Sequence, residues 1–287
     1  MKVKTVLAFL AALPVFAFAS ECTCGKTNPT EEFVKEARKV YPTPLYSSYT
    51  NSIIRKYKCK KGMHDKNEGA LVGWVDVDGA RNVRDLGGWN GLASGKVYRG
   101  SELNAVKNHG LALTPEGLRT MREKMKIKTD LDFRAVNEGE RAECLKTSAL
   151  GKDVKLVDRP ISNYTSMFSK TNSFASAIRV FADSGNYPIY MHCWGGADRT
   201  GTIAFILQGL CGVGETDLAI DFELTSFACF GTRTRHNAGN FKYADMIFEL
   251  KSYKGATLAD KFRTYAKETL GLADWEIDAI RKNLMNQ

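Results

Sequence analysis

From residue 70 onward, short apolar or alternating runs trade places with longer segments whose apolar residues recur every three or four positions. ALVGWVDVDGARNV (70–83) alternates around an Asp-Gly pair and predicts a hairpin. GKVYRG (95–100), KIKTDLDF (126–133), DVKLV (153–157) and PIYMH (188–192) predict strands. Thr114-Pro115-Glu116 opens a helix running to about Met125, and further helices are expected over 137–146 and 171–182. TIAFILQGL (202–210) is apolar on nearly every side, which predicts a helix enclosed by the rest of the domain. Helices then dominate to the C-terminus, including 258–269 and 275–286. Strands separated by helices predict an α/β fold with a central, largely parallel sheet flanked by helices.

The first 70 residues follow another pattern. Lys2 and Lys4 precede an apolar stretch, Val6 to Phe18, and Ala17-Phe18-Ala19 has the small-x-small form of a cleavage site. The stretch is shorter than the roughly 20 residues of a spanning helix. Residues 1–19 are therefore read as a signal peptide, which predicts a periplasmic or extracellular protein without stable membrane insertion. Glu21 in front of Cys22 disfavours lipidation. Residues 20–70 are expected to form an N-terminal extension, with Asn28, Pro29 and Glu31 capping a helix over 33–40 and a loop over 41–51. Residues 71–287 form the main domain.

Composition adds two constraints. A hydrophobic share of 44% and a charged share of 25% are those of a chain that buries a core, which excludes extended disorder. The 41 basic residues become 39 without Lys2 and Lys4, against 32 acidic ones, so the charge after residue 19 is +7. The basic residues are scattered apart from short clusters such as RKYKCKKG (55–62), and no zinc-finger spacing or stacked aromatic motif accompanies them. A solvated basic surface is the first reading and an anionic substrate the second; nucleic acid is not expected.

Seven cysteines is an odd number and implies at least one free thiol. Cys22, Cys24 and Cys59 are the expected bridge formers under oxidising conditions, and Cys211 reads as a small buried hydrophobe. Cys22, Cys24, Cys59 and His64 could supply four zinc donors, but their long gap and the expected export argue for disulfides. His64, His109 and His236 stand without partners at metal spacing. No metal and no cofactor is expected.

The chemistry concentrates in YMHCWGGADRTG (190–201), between a strand and the enclosed helix. Successive backbone amides of Trp194, Gly195, Gly196, Ala197 and Asp198 can turn inward as an anion-binding nest. Gly195 and Gly196 allow backbone angles and approaches that a side chain would block. The helix start adds unpaired amides and the positive end of its dipole. Arg199 contributes a planar fork matched to phosphate oxygens. Cys193 then lies at the floor of a cationic cradle, a setting that favours the thiolate, the nucleophilic form. Thr200 could hydrogen-bond the sulfur as it leaves, and His192 is read as orienting the loop. This set serves two-step phosphate-ester hydrolysis through a covalent intermediate. Cys-x5-Arg alone is weak, but the preceding His, the Gly three positions after the Cys and the trailing Thr-Gly argue against a chance turn.

HCWGGADRTG resembles the His-Cys-x-x-Gly-x-x-Arg-Thr-Gly loop of the protein-tyrosine phosphatase superfamily. With NVRDLGG (82–88), VYRGSEL (97–103), TDLDFR (129–134) and DFELT (221–225), it is similar to the bacterial tyrosine-phosphatase branch that includes lipid-active members. The resemblance spans roughly 70 to 287. It implies a helix-flanked sheet, no metal, a Cys nucleophile and an Arg clamp. Related phosphatases often draw their general acid from an Asp on an earlier loop; Asp158 is the first choice and Asp198 the rival. Asp158 would also serve as a strand-end carboxylate paired with Arg159. Arg84 with Asp85, and Asp132 with Arg134, are expected to form buried ion pairs supporting the site, and Gly87 and Gly88 to make turns. GTRTRHN (231–237) reads as a solvated basic loop before a rim of the pocket.

Lipid-active relatives often carry a Lys two places before the Arg, where this chain has Ala197. That lowers the inositol-phosphate or phosphoinositide reading, so a phosphorylated protein, as phosphotyrosine, comes first, with another small anionic phosphate ester as the alternative. A phosphate-binding module without turnover is a separate reading, weakened by the intact Cys193–Arg199 pair. Rhodanese-like sulfur transfer is disfavoured by the Thr-Gly ending.

Overall fold

The computed structural model describes residue 35 and residues 73–104, 112–135, 146–169, 172–228, 233–235 and 243–285. The expectations for 1–19, for 20–70 apart from residue 35 and for the helix at 137–146 apart from residue 146 lie outside these residues, as do Cys144, Cys229, His109 and His236.

Five strands form one sheet in the order β1-β2-β5-β3-β4: β1 (Arg84–Asp85), β2 (Val97–Gly100), β3 (Thr129–Asp132), β4 (Lys155–Asp158) and β5 (Ile189–His192). Only β1 runs antiparallel to its neighbour. The helices are α1 (Pro115–Arg119), α2 (Asn172–Arg179), α3 (Arg199–Leu210), α4 (Glu215–Leu224), α5 (Tyr243–Lys251), α6 (Leu258–Glu268) and α7 (Asp274–Leu284). The fold is thus α/β, with a central, largely parallel sheet flanked by helices.

Local chemistry explains the boundaries. Thr114 caps α1 by accepting the Gly117 amide, and Pro115 occupies the first turn. The helix widens into a π-helical turn, Thr120–Lys124, and ends near the expected Met125. The hairpin expected over 70–83 closes at Asp78-Gly79: Val75 N donates to Val83 O, and Trp74 bridges Arg84. Residues 73–83 carry no regular strand beyond that bridge; β1 begins directly after them.

β5 lies between β2 and β3 with all four residues buried, as its unbroken apolar run demands. Alternation sends Ile189 and Met191 into the core beneath α2, α3, α6 and α7, while Tyr190 joins Val77, Val83, Met121 and Leu150 on the other face. In α3 every residue from Thr200 to Leu210 is buried. Gly209 allows that enclosure, because a Cβ there would fall 2.1 Å from the Phe262 ring. No helix among the described residues is long and apolar enough to cross a membrane.

Register places the site. Gly100, His192, Asp132 and Asp158 form one row across β2, β5, β3 and β4. This row is the carboxyl edge of the parallel strands, where open α/β sheets bind ligands.

Candidate active site

Residues 193–198 link β5 to α3 at that edge, with Cys193 directly after His192 and buried. The loop's carbonyls are tied down one after another on its outer side. Trp194 O accepts from the Glu102 amide at 3.0 Å. Asn82 Nδ2 donates to Gly195 O at 3.2 Å and to Gly196 O at 3.1 Å. Arg99 Nη2 donates to Gly196 O at 2.9 Å and to Ala197 O at 3.5 Å. Among the described residues no acceptor takes the amides of Gly195, Gly196 or Ala197. With the carbonyls so anchored, these amides are a geometry that can bind an anion.

Gly196 sits at φ +65° against the end of β2, where an added Cβ would lie 2.2 Å from Gly100 O. A backbone oxygen cannot swing aside. Gly196→Ala is expected to cost about 2–5 kcal/mol, from left-handed strain and overpacking together, and to remove phosphate affinity. A thermal melt and a titration with inorganic phosphate check both.

Behind the loop, Asp221 of α4 binds two guanidiniums: Arg84 Nε at 3.2 Å and Arg99 Nη1 at 2.6 Å. Arg84 also reaches Asp221 O at 3.0 Å, Thr225 Oγ1 at 3.3 Å and the Asn82 side-chain oxygen. Burial, joined by repulsion from Arg99, pushes the Arg84 guanidinium down to about 9 against the pull of Asp221. Burial works against ionisation of Asp221, but the two guanidiniums prevail and hold its carboxyl below the usual range. Arg84 therefore pairs with Asp221 and not with Asp85. The Asp85 carboxylate is spent on turns, accepting the amides of Gly87 at 2.8 Å and Gly95 at 2.6 Å. Gly88 has φ +90°, the turn geometry expected of it.

A second buried cluster surrounds His192, the residue before Cys193. Arg134 pairs with Asp132 at 2.7 Å, as expected, and with Glu102 at 2.9 Å. His192 Nε2 lies 2.9 Å from Asp130 Oδ1, and its Nδ1 is 3.9 Å from Asp132 Oδ1. Burial disfavours the imidazolium, yet Asp132 and Asp130 outweigh it and raise His192 above its ordinary 6.5. Its carbonyl accepts the Phe133 amide at 2.9 Å, so residue 192 is pinned at backbone and ring alike. Because the folded value exceeds the unfolded one, His192 stabilises fully below about 6.5 and loses that contribution as pH rises through the folded value. Melting temperatures of His192→Asn should accordingly fall less than those of the parent as pH rises above 6.5.

The remaining expected site residues divide. The Thr200 hydroxyl is buried and has no hydrogen-bond partner among the described residues. Asp198 starts α3 without a side-chain cap, and its carboxylate meets Arg233 at 3.2 and 3.3 Å. Arg233 comes from the 231–237 segment expected to be a solvated loop. That expectation is corrected for 233–235, because Arg235 is buried on Glu223 and Thr234 is buried too. Asp158 stands in the carboxyl-edge row, one strand beyond Asp132 and two from His192, about 10 Å away at sheet spacing. Arg159 donates to the Asp158 backbone carbonyl at 2.7 Å. Cys193 and Cys211 are free thiols; burial pushes Cys211 up to about 12, in keeping with an inert core residue. Among the described residues no group of His, Cys, Asp and Glu could hold a metal ion.

A family model described as the tyrosine phosphatase family matches residues 75–286. The chain belongs to the tyrosine phosphatase family. Membership makes it a phosphatase, a hydrolase of phosphate esters. Solved structures similar to this family member include the core catalytic domain of the PP-IP phosphatase SIW14 from S. cerevisiae in complex with citrate. That domain is 16% identical over 54% of this chain and 79% of its own, with a TM-score of 0.35. A Siw14 catalytic core is also 16% identical, over 68% of this chain and 94% of its own, with a TM-score of 0.40. No curated protein matches the chain.

In this phosphatase the segments around the cysteine loop have a shared physical purpose. NVRDLGG supplies Asn82 and Arg84, VYRGSEL supplies Arg99 and Glu102, and DFELT supplies Asp221 and Thr225. Asn82, Arg99 and Asp221 were not singled out by sequence. Their signal was there: charged or amide residues next to apolar ones in short segments flanking predicted strands and helices, each needing a partner once buried.

Proposed function

We propose that the chain hydrolyses phosphate monoesters, phosphotyrosine first among them, through a phosphocysteine intermediate on Cys193 and without a metal. The outward anchoring of the carbonyls of residues 194–197 carries this reading, since it leaves a ring of amides for three phosphate oxygens. Trp194, Gly195, Gly196, Ala197 and Asp198 would hold the phosphate through backbone amides, and Arg199 would clamp it through its guanidinium. Dipoles fixed in place before the charge develops are the largest source of stabilisation in such sites.

The Cys193 thiolate attacks phosphorus, an S–P bond forms and the P–O ester bond breaks. The leaving oxygen takes a proton from Asp158. Water then attacks the phosphocysteine and gives its proton back to Asp158, and the sulfur departs as a thiolate stabilised by the Thr200 hydroxyl. Asp158 is placed ahead of Asp198 because it ends β4 in the same carboxyl-edge row as His192, outside the loop that would hold the phosphate.

Hydrolysis of para-nitrophenyl phosphate should persist in chelator, and rapid acid quench should trap one phosphoryl group per chain. A metal requirement, or a quench that never yields phosphoprotein, would sink the mechanism. Asp158→Asn should slow a poor-leaving-group alkyl ester at least tenfold more than an activated aryl ester. Equal losses would remove Asp158 from the role. A panel of phosphotyrosine peptide, inositol phosphates and phosphoinositides ranks the substrates.

A further inference from the structure

The hydrolysis just described makes no use of Arg233, yet the fold holds this cation firmly beside the loop. Ser226 Oγ accepts the Arg233 amide at 2.7 Å and donates to the Arg233 carbonyl at 2.7 Å. Two residues on, Arg235 is gripped by Glu223 through its amide at 2.9 Å, its Nε at 2.8 Å and its Nη2. Residues 233–235 are thus clamped at both ends, and the guanidinium of Arg233 is delivered to one place.

That place is the outer side of Asp198, the residue directly before Arg199. The contacts of 3.2 and 3.3 Å exceed the ~2.7–2.9 Å of a strong charge-assisted bond. The Asp198 side chain is 33% exposed and that of Arg233 17%, so water reaches the pair and screens it. Tyr164, from the turn Tyr164–Phe168 after β4, stands near enough for its phenol to feel the charges of both. A cation held by its own backbone therefore stands beside the loop, and its contact with Asp198 is long.

We infer that Arg233 is a specificity-determining residue, which gives up Asp198 to bind a second negative group lying beside the phosphate held by residues 193–199. The inference rests on the reading of that loop as a phosphate cradle. Its ligand class is a phosphate ester with another anion nearby, whether a carboxylate or a further phosphate. Asp198 then acts as a built-in competitor: it fills the guanidinium when the substrate brings a single charge and yields when the substrate brings two.

Calorimetric titration of the full chain carrying Cys193→Ser tests this without turnover. One probe pair is a phosphotyrosine peptide with Glu or Gln beside the phosphotyrosine; the other is an inositol monophosphate and a bisphosphate. The second anion should tighten binding about five- to tenfold in at least one pair. Arg233→Met should erase that gain, Arg233→Lys should keep part of it, and Asp198→Asn should enlarge it. A purely structural Arg233 would not give opposite signs for its own removal and that of Asp198. A gain in the peptide pair alone assigns the anion to a protein carboxylate, and a gain in the inositol pair alone assigns it to a second phosphate. Binding without discrimination, a gain that survives Arg233→Met in a protein of parental melting temperature, or a gain that shrinks with Asp198→Asn overturns the inference and leaves the cradle standing. No binding of any probe overturns the cradle, and this inference with it.

Discussion

Cys193→Ser lowers turnover of para-nitrophenyl phosphate by roughly 10^4-fold or more, on the scale seen when a covalent nucleophile is removed, and leaves the melting temperature within a few degrees of the parent. The two halves of this expected result have separate causes. A serine hydroxyl stays protonated where a thiolate attacks, so the first S–P bond has no counterpart. The substitution exchanges sulfur for a smaller oxygen in a buried position and leaves the ties on residues 194–197 in place, so the loop keeps its shape. Initial rates at saturating substrate, read beside a circular-dichroism melt, check both. Residual turnover within tenfold of the parent would place the nucleophile elsewhere.

Asp221→Asn should be the most damaging change at a distance from the loop. One carboxylate there bridges Arg84 and Arg99, and all three side chains are buried. Removing one partner of a buried ionic cluster costs about 3–5 kcal/mol, since the remaining charges stay desolvated. For a domain of this size that is a fall in melting temperature of roughly 10 °C. Activity should fall further than stability explains, because Arg99 and, through Arg84, Asn82 hold the carbonyls of 195–197. The pH dependence has a fixed sign. The folded Asp221 carboxyl lies below its ordinary 3.8, so its stabilisation is complete above that value and disappears as pH falls through the folded value. The gap between parent and variant should be widest near neutrality and close only in strong acid. A gap that widens on acidification would show that Asp221 is not the ionised partner.

How much was legible in the sequence depended on whether the cause was local. The strands, the Thr114 cap and the enclosed α3 follow from periodicity and neighbouring residues, and they formed close to the expected positions. The loop between β5 and α3 and the left-handed Gly196 were readable because the strand end, the glycines and the helix start are neighbours in the chain. Arg84 shows where such reading stops. Its adjacent acid, Asp85, was the natural partner, but the partner in the fold lies 137 residues away. Arg233 is a similar case: a basic run looks solvated until Glu223 and Ser226 draw it inward. Periodicity reports which side of a segment is buried, not which distant charge waits there.

The confinement of α3 has a consequence for ligand capture. A rod buried from Thr200 to Leu210 resists rocking or sliding toward an incoming oxyanion, so its leading end is expected to keep one geometry whether occupied or empty. Most of the organisational entropy is then spent during folding, and phosphate or vanadate should dock as into a rigid socket, with near-identical amide hydrogen-exchange rates along residues 203–210 before and after saturation.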